Sequence, residues 1–263
     1  MKKIQAIIKS LGTKYKDMIK RYRMRIDSRE TLQEAAELFG LLPFFPNEIR
    51  GLSVAEMCSP GKLFGGNVEE GCWEWKGPVI RKKTTAYGKF FNRKAGFVSL
   101  DLVADFFNYR RNLFPVKEGS IDEMLLEIIR ENDSLTSTEL RRLIFGGKKR
   151  TEWDELPSSD DFNLSGGGRK SLESPLHRLQ MGGWIIISDF EYKVTRSGER
   201  YGWGVARYST PENVFGELIL GHKGSPKQSY DFLIKKIKEK IPLASEGAIG
   251  KLIGIKNTSK RTK

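Results

Sequence analysis

The sequence has only two cysteines and two histidines among its 263 residues. Cys58 and Cys72 cannot build the disulfide framework of a small secreted protein, which favours a reducing, cytoplasmic location. With so few thiols and imidazoles, no cluster has zinc-ligand spacing, and we predict neither a metal nor another cofactor. The amino-terminal apolar stretch is broken by polar residues, and no apolar run is long enough to span a bilayer. A soluble protein without a membrane partner is therefore expected.

Acidic residues are also in short supply. Lysine and arginine number 46 against 33 acidic residues, a formal net charge of +13. Basic residues concentrate in residues 1–25, 76–94 and 227–263, whereas residues 118–161 hold twelve acidic and six basic residues. Such an excess attracts DNA, RNA, ribosomes or anionic lipid. The plainer alternative is a basic protein whose charges only face solvent.

Both ends of the chain have the pattern of basic helices. Apolar residues recur at three- and four-residue steps through residues 4–26, which predicts a basic amphipathic helix over residues 1–27. Docking on the protein core is favoured for it over a membrane surface. The carboxy-terminal region, residues 221–263, is predicted to open a helix at Ser225-Pro226 and to end in a basic tail.

Residues 28–117 combine aromatic and basic side chains. A helix is predicted over residues 31–39, ending at Gly40, and a second one after an N-cap at Ser99. Between them, Trp73 and Trp75 alternate as they would on one face of a strand. We favour the rings as core and the neighbouring lysines as groups that face solvent or phosphate. The alternative is that the rings stack on exposed bases.

Residues 118–220 have the clearest local architecture. Capping boxes at Ser120 and Thr136 predict two helices, and a third is expected to start at Pro175 after a flexible insertion over residues 146–168. A hairpin follows, with a turn candidate at Ser188-Asp189 and a basic tip over residues 196–200. Three helices and then a hairpin is the winged-helix order. We therefore predict an α-rich α+β fold with a winged helix here and a degenerate one in residues 28–117, in tandem.

A winged helix binds duplex DNA by placing its third helix in the major groove and its hairpin on the backbone or in the minor groove. The alternative for each cation is a solvated surface position. The basic side chains predicted to contact DNA are Lys82, Lys83, Lys89, Arg93, Lys94, Arg110, Arg111, Arg169, Lys170, His177, Arg178, Lys193, Arg196 and Arg200.

Several separate motifs resemble those of the bacterial AlkZ-related family, and the similarity extends over about residues 28–220. The matching segments are Gly71-Cys-Trp-Glu-Trp-Lys-Gly77, Ala86-Tyr-Gly-Lys-Phe-Phe91, Ala95-Gly-Phe-Val-Ser99, Tyr109-Arg-Arg111, Leu179-Gln-Met-Gly182 and Tyr201-Gly-Trp203. More distantly, the family resembles the AlkZ/YcaQ DNA glycosylases, whose tandem winged helices wrap duplex DNA and remove alkylated or crosslinked bases. The resemblance implies this fold, affinity for DNA and a role in DNA repair.

The chain departs from those glycosylases at their catalytic motif. The family motif is glutamine, an apolar residue, and then glutamine or aspartate, and its counterpart here is residues 40–46, with Pro43 and Phe45 at the two polar positions. Neither side chain can position a water, so we predict no catalytic residue and a DNA-binding protein rather than an enzyme. Two alternatives stay open: a glycosylase that uses Glu34, Glu37 or Glu48, and an adaptor that binds protein. The oligomeric state is not predicted.

Overall fold

The computed structural model describes residues 24–65, 70–146, 172–198 and 200–254. Within these ranges the chain is α-rich α+β and contains two three-stranded antiparallel sheets, which confirms the predicted class. Most of the predicted amino-terminal helix, the flexible insertion after residue 146 and the basic tail after residue 254 lie outside the described residues. The described end of that helix, residues 24–27, is not helical, because Ile26 is extended and forms a β-bridge with Cys58.

The first half of the molecule has one sheet and four helices. Its elements are α1 (Arg29–Phe39), β1 (Leu41–Pro43), α2 (Val54–Met57), α3 (Cys72–Arg81), β2 (Thr85–Phe91), β3 (Lys94–Ser99) and α4 (Leu100–Leu113). The strand order is β1-β3-β2, so β2 is an edge strand. Helix α1 ends at Gly40, as predicted, where a φ of 77° suits a residue without a side chain.

The region around Trp73 and Trp75 is helical, and the predicted strand is wrong. Helix α3 begins after Gly71 because the Glu74 carboxylate accepts the Gly71 backbone N–H at 2.9 Å, as in a capping box. Trp75 is buried and Trp73 is half-buried. The alternating aromatic pattern therefore reflects a helix start rather than a pleat.

The second half repeats the order of the first. It comprises α5 (Ile121–Asn132), β4 (Leu135–Thr136), α6 (Ser137–Phe145), α7 (Glu173–Gly182), β5 (Ile186–Val194) and β6 (Arg200–Ser209). The strand order β4-β6-β5 again places the first strand beside the last. Both predicted capping residues, Ser120 and Thr136, accept the expected backbone N–H groups.

Two local predictions in the second half need correction. Ser188-Asp189 is not a turn, because β5 runs through it and the register shifts there by a bulge. Helix α7 begins at Glu173, so Pro175 lies within its first turn rather than at its first position. A proline is tolerated there because its missing N–H would have no partner within the helix.

The carboxy-terminal helices return to the first half. They are α8 (Pro211–Phe215), α9 (Glu217–Leu220), α10 (Pro226–Lys240) and α11 (Glu246–Ile253), and α10 packs on α4. The predicted start at Ser225-Pro226 is confirmed by a capping box with Gln228. At the other end of α10, the Lys240 ammonium donates to the backbone oxygen of Glu37 at 3.1 Å.

The larger hydrophobic core crosses from one half to the other. It contains the phenylalanines of β2 and α4 and also Ile186, Ile187 and Phe190 of β5. A smaller core lies among α5, α6 and α7. Because β5 belongs to the larger core, the second hairpin is held in a fixed place against the first half.

Candidate nucleic-acid interface

The β5–β6 hairpin presents its basic residues to solvent. Lys193, Arg196 and Arg200 are all exposed, and the turn between the strands includes Gly198 at a φ of 84°. The guanidinium of Arg200 lies 5.0 Å from the Tyr192 ring centroid and 3.7 Å from a Glu70 carboxylate oxygen. The structure thus brings together the three tip residues that the sequence predicts.

The same hairpin carries an exposed tryptophan. The register of β5 and β6 shifts between Glu191 and Lys193, and Gly202 on the opposite strand has a φ of 72°. Beside this bulge, the Trp203 side chain is 68% exposed, an unusual exposure for so large an apolar ring. Such a ring offers a face on which a base can stack.

Trp203 is part of a group of rings that we call the aromatic cluster: Phe45, Phe64, Trp73 and Trp203. The Trp203 ring centroid is 5.9 Å from that of Trp73 and 6.4 Å from that of Phe64. Phe45 lies 6.4 Å from Trp73, and Phe64 is itself 47% exposed. The cluster therefore joins the tip of the second hairpin to α3 and to the segment after β1.

Sequence reasoning assigned Trp73 to the core and did not predict a surface group of rings that includes Trp203. The only local signal is that Trp203 stands between Gly202 and Gly204, in a hairpin with arginines on both sides. Glycines flanking a large ring leave it without neighbours that could cover it. The contacts with Phe45 and Phe64 depend on tertiary packing, which no local pattern indicates.

A buried lysine lies behind the aromatic cluster. Lys76 is 2% exposed, and its Nζ is 3.9 Å from the Trp73 ring centroid and 4.4 Å from that of Phe190. The ammonium donates to the Trp73 backbone oxygen. Burial lowers the pKa of Lys76 to about 7, opposed by the nearby Glu74 carboxylate. The expectation that every lysine of this block faces solvent or phosphate is wrong for Lys76.

The β2–β3 hairpin carries a second basic group. Its turn residues Asn92 and Arg93 have φ values of 50° and 65°, as a type I′ turn requires. Arg93 and Lys94 are exposed, whereas Lys89 is half-buried with its Nζ 2.5 Å from the Nε2 of His177. Burial is the main reason that the pKa values of Lys89 and His177 are both lowered. The two groups are therefore near each other but partly withdrawn from solvent.

Helix α7 does not present the free face that the sequence predicts. It packs against β2, and Gln180 is fully buried with its Oε1 accepting the Lys89 backbone N–H at 3.0 Å. Arg178 forms a bidentate ion pair with Asp122 at 2.6 and 2.8 Å. Arg169 and Lys170 lie outside the described residues. Of the cations predicted on α7, Arg178 is therefore held by Asp122, and His177 is in contact with Lys89 of β2.

The adjacent residues Arg110 and Arg111 have different surroundings. Arg110 is 2% exposed and donates to three backbone oxygens, those of Phe90, Met181 and Ile253. Its predicted contact with DNA is wrong, because no donor edge is left at the surface.

Arg111 is more accessible but engaged. It donates to the Gly183 oxygen at 3.1 Å and pairs with Glu212 at 2.6 Å. Lys82 and Lys83, in contrast, are exposed at the carboxy-terminal end of α3. Of the fourteen predicted residues, the tip of β5–β6, the tip of β2–β3 and these two lysines are the exposed ones in the described part of the chain.

The segment that corresponds to the glycosylase motif holds no polar pair. Pro43 is buried in β1 opposite Gly96, and Phe45 belongs to the aromatic cluster. Among the candidate carboxylates, Glu34 and Glu48 are exposed, and Glu37 accepts a hydrogen bond from Gln33 at 2.9 Å. The described residues include no group of histidine, cysteine and carboxylate side chains placed to hold a metal ion.

Comparison with known proteins gives one result over most of the chain. The model of a family described as "AlkZ related" matches residues 26–254. No curated protein and no solved structure matches the chain. In the described ranges, every helix is too short or too polar to cross a membrane. The matched region includes both sheets and the carboxy-terminal helices, and the chain therefore belongs to the AlkZ-related family.

Proposed function

We propose that this protein binds duplex DNA, including damaged DNA with unpaired bases, through the tip of the β5–β6 hairpin and the aromatic cluster. The observation that carries the proposal is the 68% exposed Trp203 ring on the same hairpin as the exposed cations Arg196 and Arg200. Cations bind phosphates, and an exposed indole stacks on a base that has lost its partner. A role in DNA repair agrees with membership of the AlkZ-related family.

The proposal treats the two halves as tandem winged helices. Each half has the order helix, strand, helix, helix and hairpin, with the first strand beside the last. The hairpins are then the wings, and the first wing is degenerate because its turn is as short as a hairpin allows. With α7 packed on β2, the second wing takes the leading role on DNA instead of the third helix.

The aromatic cluster gives the first test. In fluorescence anisotropy with a labelled duplex that contains one unpaired base, Trp203→Ala should weaken binding by roughly tenfold, since stacking contributes about 1–3 kcal/mol per base. Leu243→Ala is the matched control, because Leu243 is also 68% exposed but lies after α10, outside the aromatic cluster. A fully paired duplex should show a smaller difference between Trp203→Ala and the native protein.

The charge of the tip gives the second test. Binding should weaken steeply with salt, and Arg196→Ala should lower the slope of log K against log salt by about 1 if it removes one phosphate contact. Lys227→Ala, on the exposed start of α10, controls for loss of a surface cation. If the native protein retains no duplex at low salt, the proposal fails and an adaptor that binds protein becomes the better explanation.

A further inference from the structure

A cavity of about 240 Å³ lies between the two halves of the molecule. We call it the junction cavity; it is bounded by the end of α3 and the start of β2 on one side and by the start of β5 and α8 on the other. Ile187 and Phe215 supply apolar walls, and Thr85, Asp133 and Asp189 supply polar groups. The volume is below the ~300–1,000 Å³ of pockets that enclose drug-sized ligands, so the cavity can enclose about the base of one nucleotide and leaves the rest of it outside.

The Thr85 hydroxyl indicates that the junction cavity is built for a ligand. Thr85 is 2% exposed, and its Oγ1 has no hydrogen-bond partner in the described part of the chain. Buried hydroxyls nearly always have a partner, and one without a partner weakens the fold. Thr85 shares a face of β2 with Tyr87, whose ring contacts Phe190 of β5, so the hydroxyl is on the side of the cavity.

Each of two carboxylates that line the cavity uses only one of its oxygens in hydrogen bonds with described residues. Asp133 Oδ1 accepts from Ser209 at 2.5 Å, and Asp189 Oδ1 accepts from Arg81 at 2.7 Å. The Oδ2 atoms of both accept no hydrogen bond from a described residue. Such oxygens are suited to the amino groups of nucleobases, as when a carboxylate accepts from the N4 of cytosine.

A cation stands at the same cavity. Lys83 is exposed and forms no ion pair with another described residue. The φ of Lys83 is 56°, a left-handed backbone conformation that is unfavourable for lysine. In this conformation the Lys83 backbone lies at the edge of the cavity. An ammonium at this place matches a phosphate.

We propose that the junction cavity binds a single nucleotide whose base carries an amino group, with the base against the apolar wall and the phosphate at Lys83. The carboxylates would accept from the amino group and Thr85 would supply the remaining hydrogen bond. Two sources supply such a nucleotide: it is either free in solution or turned out of duplex DNA. Only the second source rests on the proposed function.

Matched pairs of free nucleotides test the first source. Isothermal titration of the full chain with cytidine and uridine monophosphate compares an amino group with an oxygen at one position of the base. Adenosine and inosine monophosphate make the corresponding purine pair, with an amino group or an oxygen at C6. We expect the amino member of at least one pair to bind roughly tenfold more tightly, the discrimination typical of a good polar contact.

Thr85→Val separates a ligand site from a structural defect. Valine has the shape of threonine without the hydroxyl, so the variant should be as stable as the native protein or more stable, yet bind the preferred nucleotide at least fivefold more weakly. Lys83→Asn removes the cation while keeping a residue that tolerates positive φ, and Lys82→Asn is its exposed neighbouring control.

Duplex DNA with one unpaired cytosine tests the second source. The ligand comes from DNA if two results are found together. Free nucleotides do not bind at millimolar concentration, and Thr85→Val weakens binding to the duplex with unpaired cytosine but not to the same duplex with unpaired uracil. If no nucleotide binds and Thr85→Val changes neither duplex, the inference is wrong. A protein that binds nucleotide but no duplex refutes the proposed function alone.

Discussion

At the scale of single residues, burial decides which basic side chains are available. Successive residues of a helix point about 100° apart, so the adjacent pair Arg110 and Arg111 cannot share one environment. Arg110 faces three carbonyl groups inside the molecule, whereas Arg111 reaches Glu212 near the surface. The sequence indicates that both are cations but not which of them is buried, because the groups that cover Arg110 come from β2, α7 and α11.

Lys76 gives a prediction about stability and pH. Its amine is charged in the folded and unfolded states below a pH of about 7, and burial then disfavours the folded state. Between that pH and the ordinary lysine pKa of about 10.4, the unfolded chain binds the proton and the folded chain does not, so stability rises with pH. Lys76→Met should be the more stable protein at pH 7, and its advantage should shrink by up to a few kcal/mol by pH 10, since one pKa unit corresponds to about 1.4 kcal/mol.

Urea unfolding at several pH values between 7 and 10 measures this difference. Lys227→Met, at the exposed start of α10, serves as the control for a lost surface lysine. An advantage of Lys76→Met that stays constant with pH would mean that the buried amine keeps its proton throughout, in conflict with the lowered pKa.

At the scale of helices and strands, the sequence predicts what local chemistry determines. Helix starts at Ser120, Thr136 and Ser225 follow from side chains that accept nearby N–H groups, and all three are confirmed. The strand expected at Trp73 and Trp75 is wrong because the Glu74 carboxylate at the start of α3 outweighs the alternating pattern. The aromatic cluster was not predictable, because it assembles rings from four separate segments.

A substitution in the β2–β3 turn should raise the stability of the protein and weaken its binding to DNA. Arg93 has a φ of 65°, which is unfavourable for arginine, whereas asparagine followed by glycine is the best pair for a type I′ turn. Arg93→Gly should therefore raise the free energy of unfolding by about 0.5–1 kcal/mol. The same change removes an exposed cation and should weaken DNA binding at low salt.

Thermal unfolding and anisotropy on the same samples measure the two effects. Asn92→Gly is the matched control, because it relaxes the neighbouring position and keeps the arginine. Loss of stability in Arg93→Gly would show that the guanidinium makes a contact worth more than the turn strain, and unchanged DNA affinity would remove this hairpin from the interface.

At the scale of the whole molecule, the two halves depend on each other in ways that the sequence does not reveal. The DNA-binding face of α7 was predicted from its own residues, but on that face Arg178 pairs with Asp122 of α5 and His177 contacts Lys89 of β2. A local pattern identifies an amphipathic helix; it does not say which other element will cover the polar side. Among the predicted cations of this half that the structure describes, the exposed ones lie on the β5–β6 hairpin rather than on α7.

This shared packing predicts that the described halves unfold as one unit. Phe190 is 9% exposed on β5, and its ring centroid is 6.1 Å from that of Tyr87 on β2. Phe190→Ala should destabilise the protein by about 3–5 kcal/mol, the usual cost of emptying a buried aromatic site.

Far-UV circular dichroism and tryptophan fluorescence should report the same lowered midpoint, since one core passes through both halves. Leu143→Ala, a 51% exposed position on α6, should leave the midpoint unchanged. Two separate transitions, of which Phe190→Ala moves only one, would show that the halves fold independently and that the junction between them is not rigid.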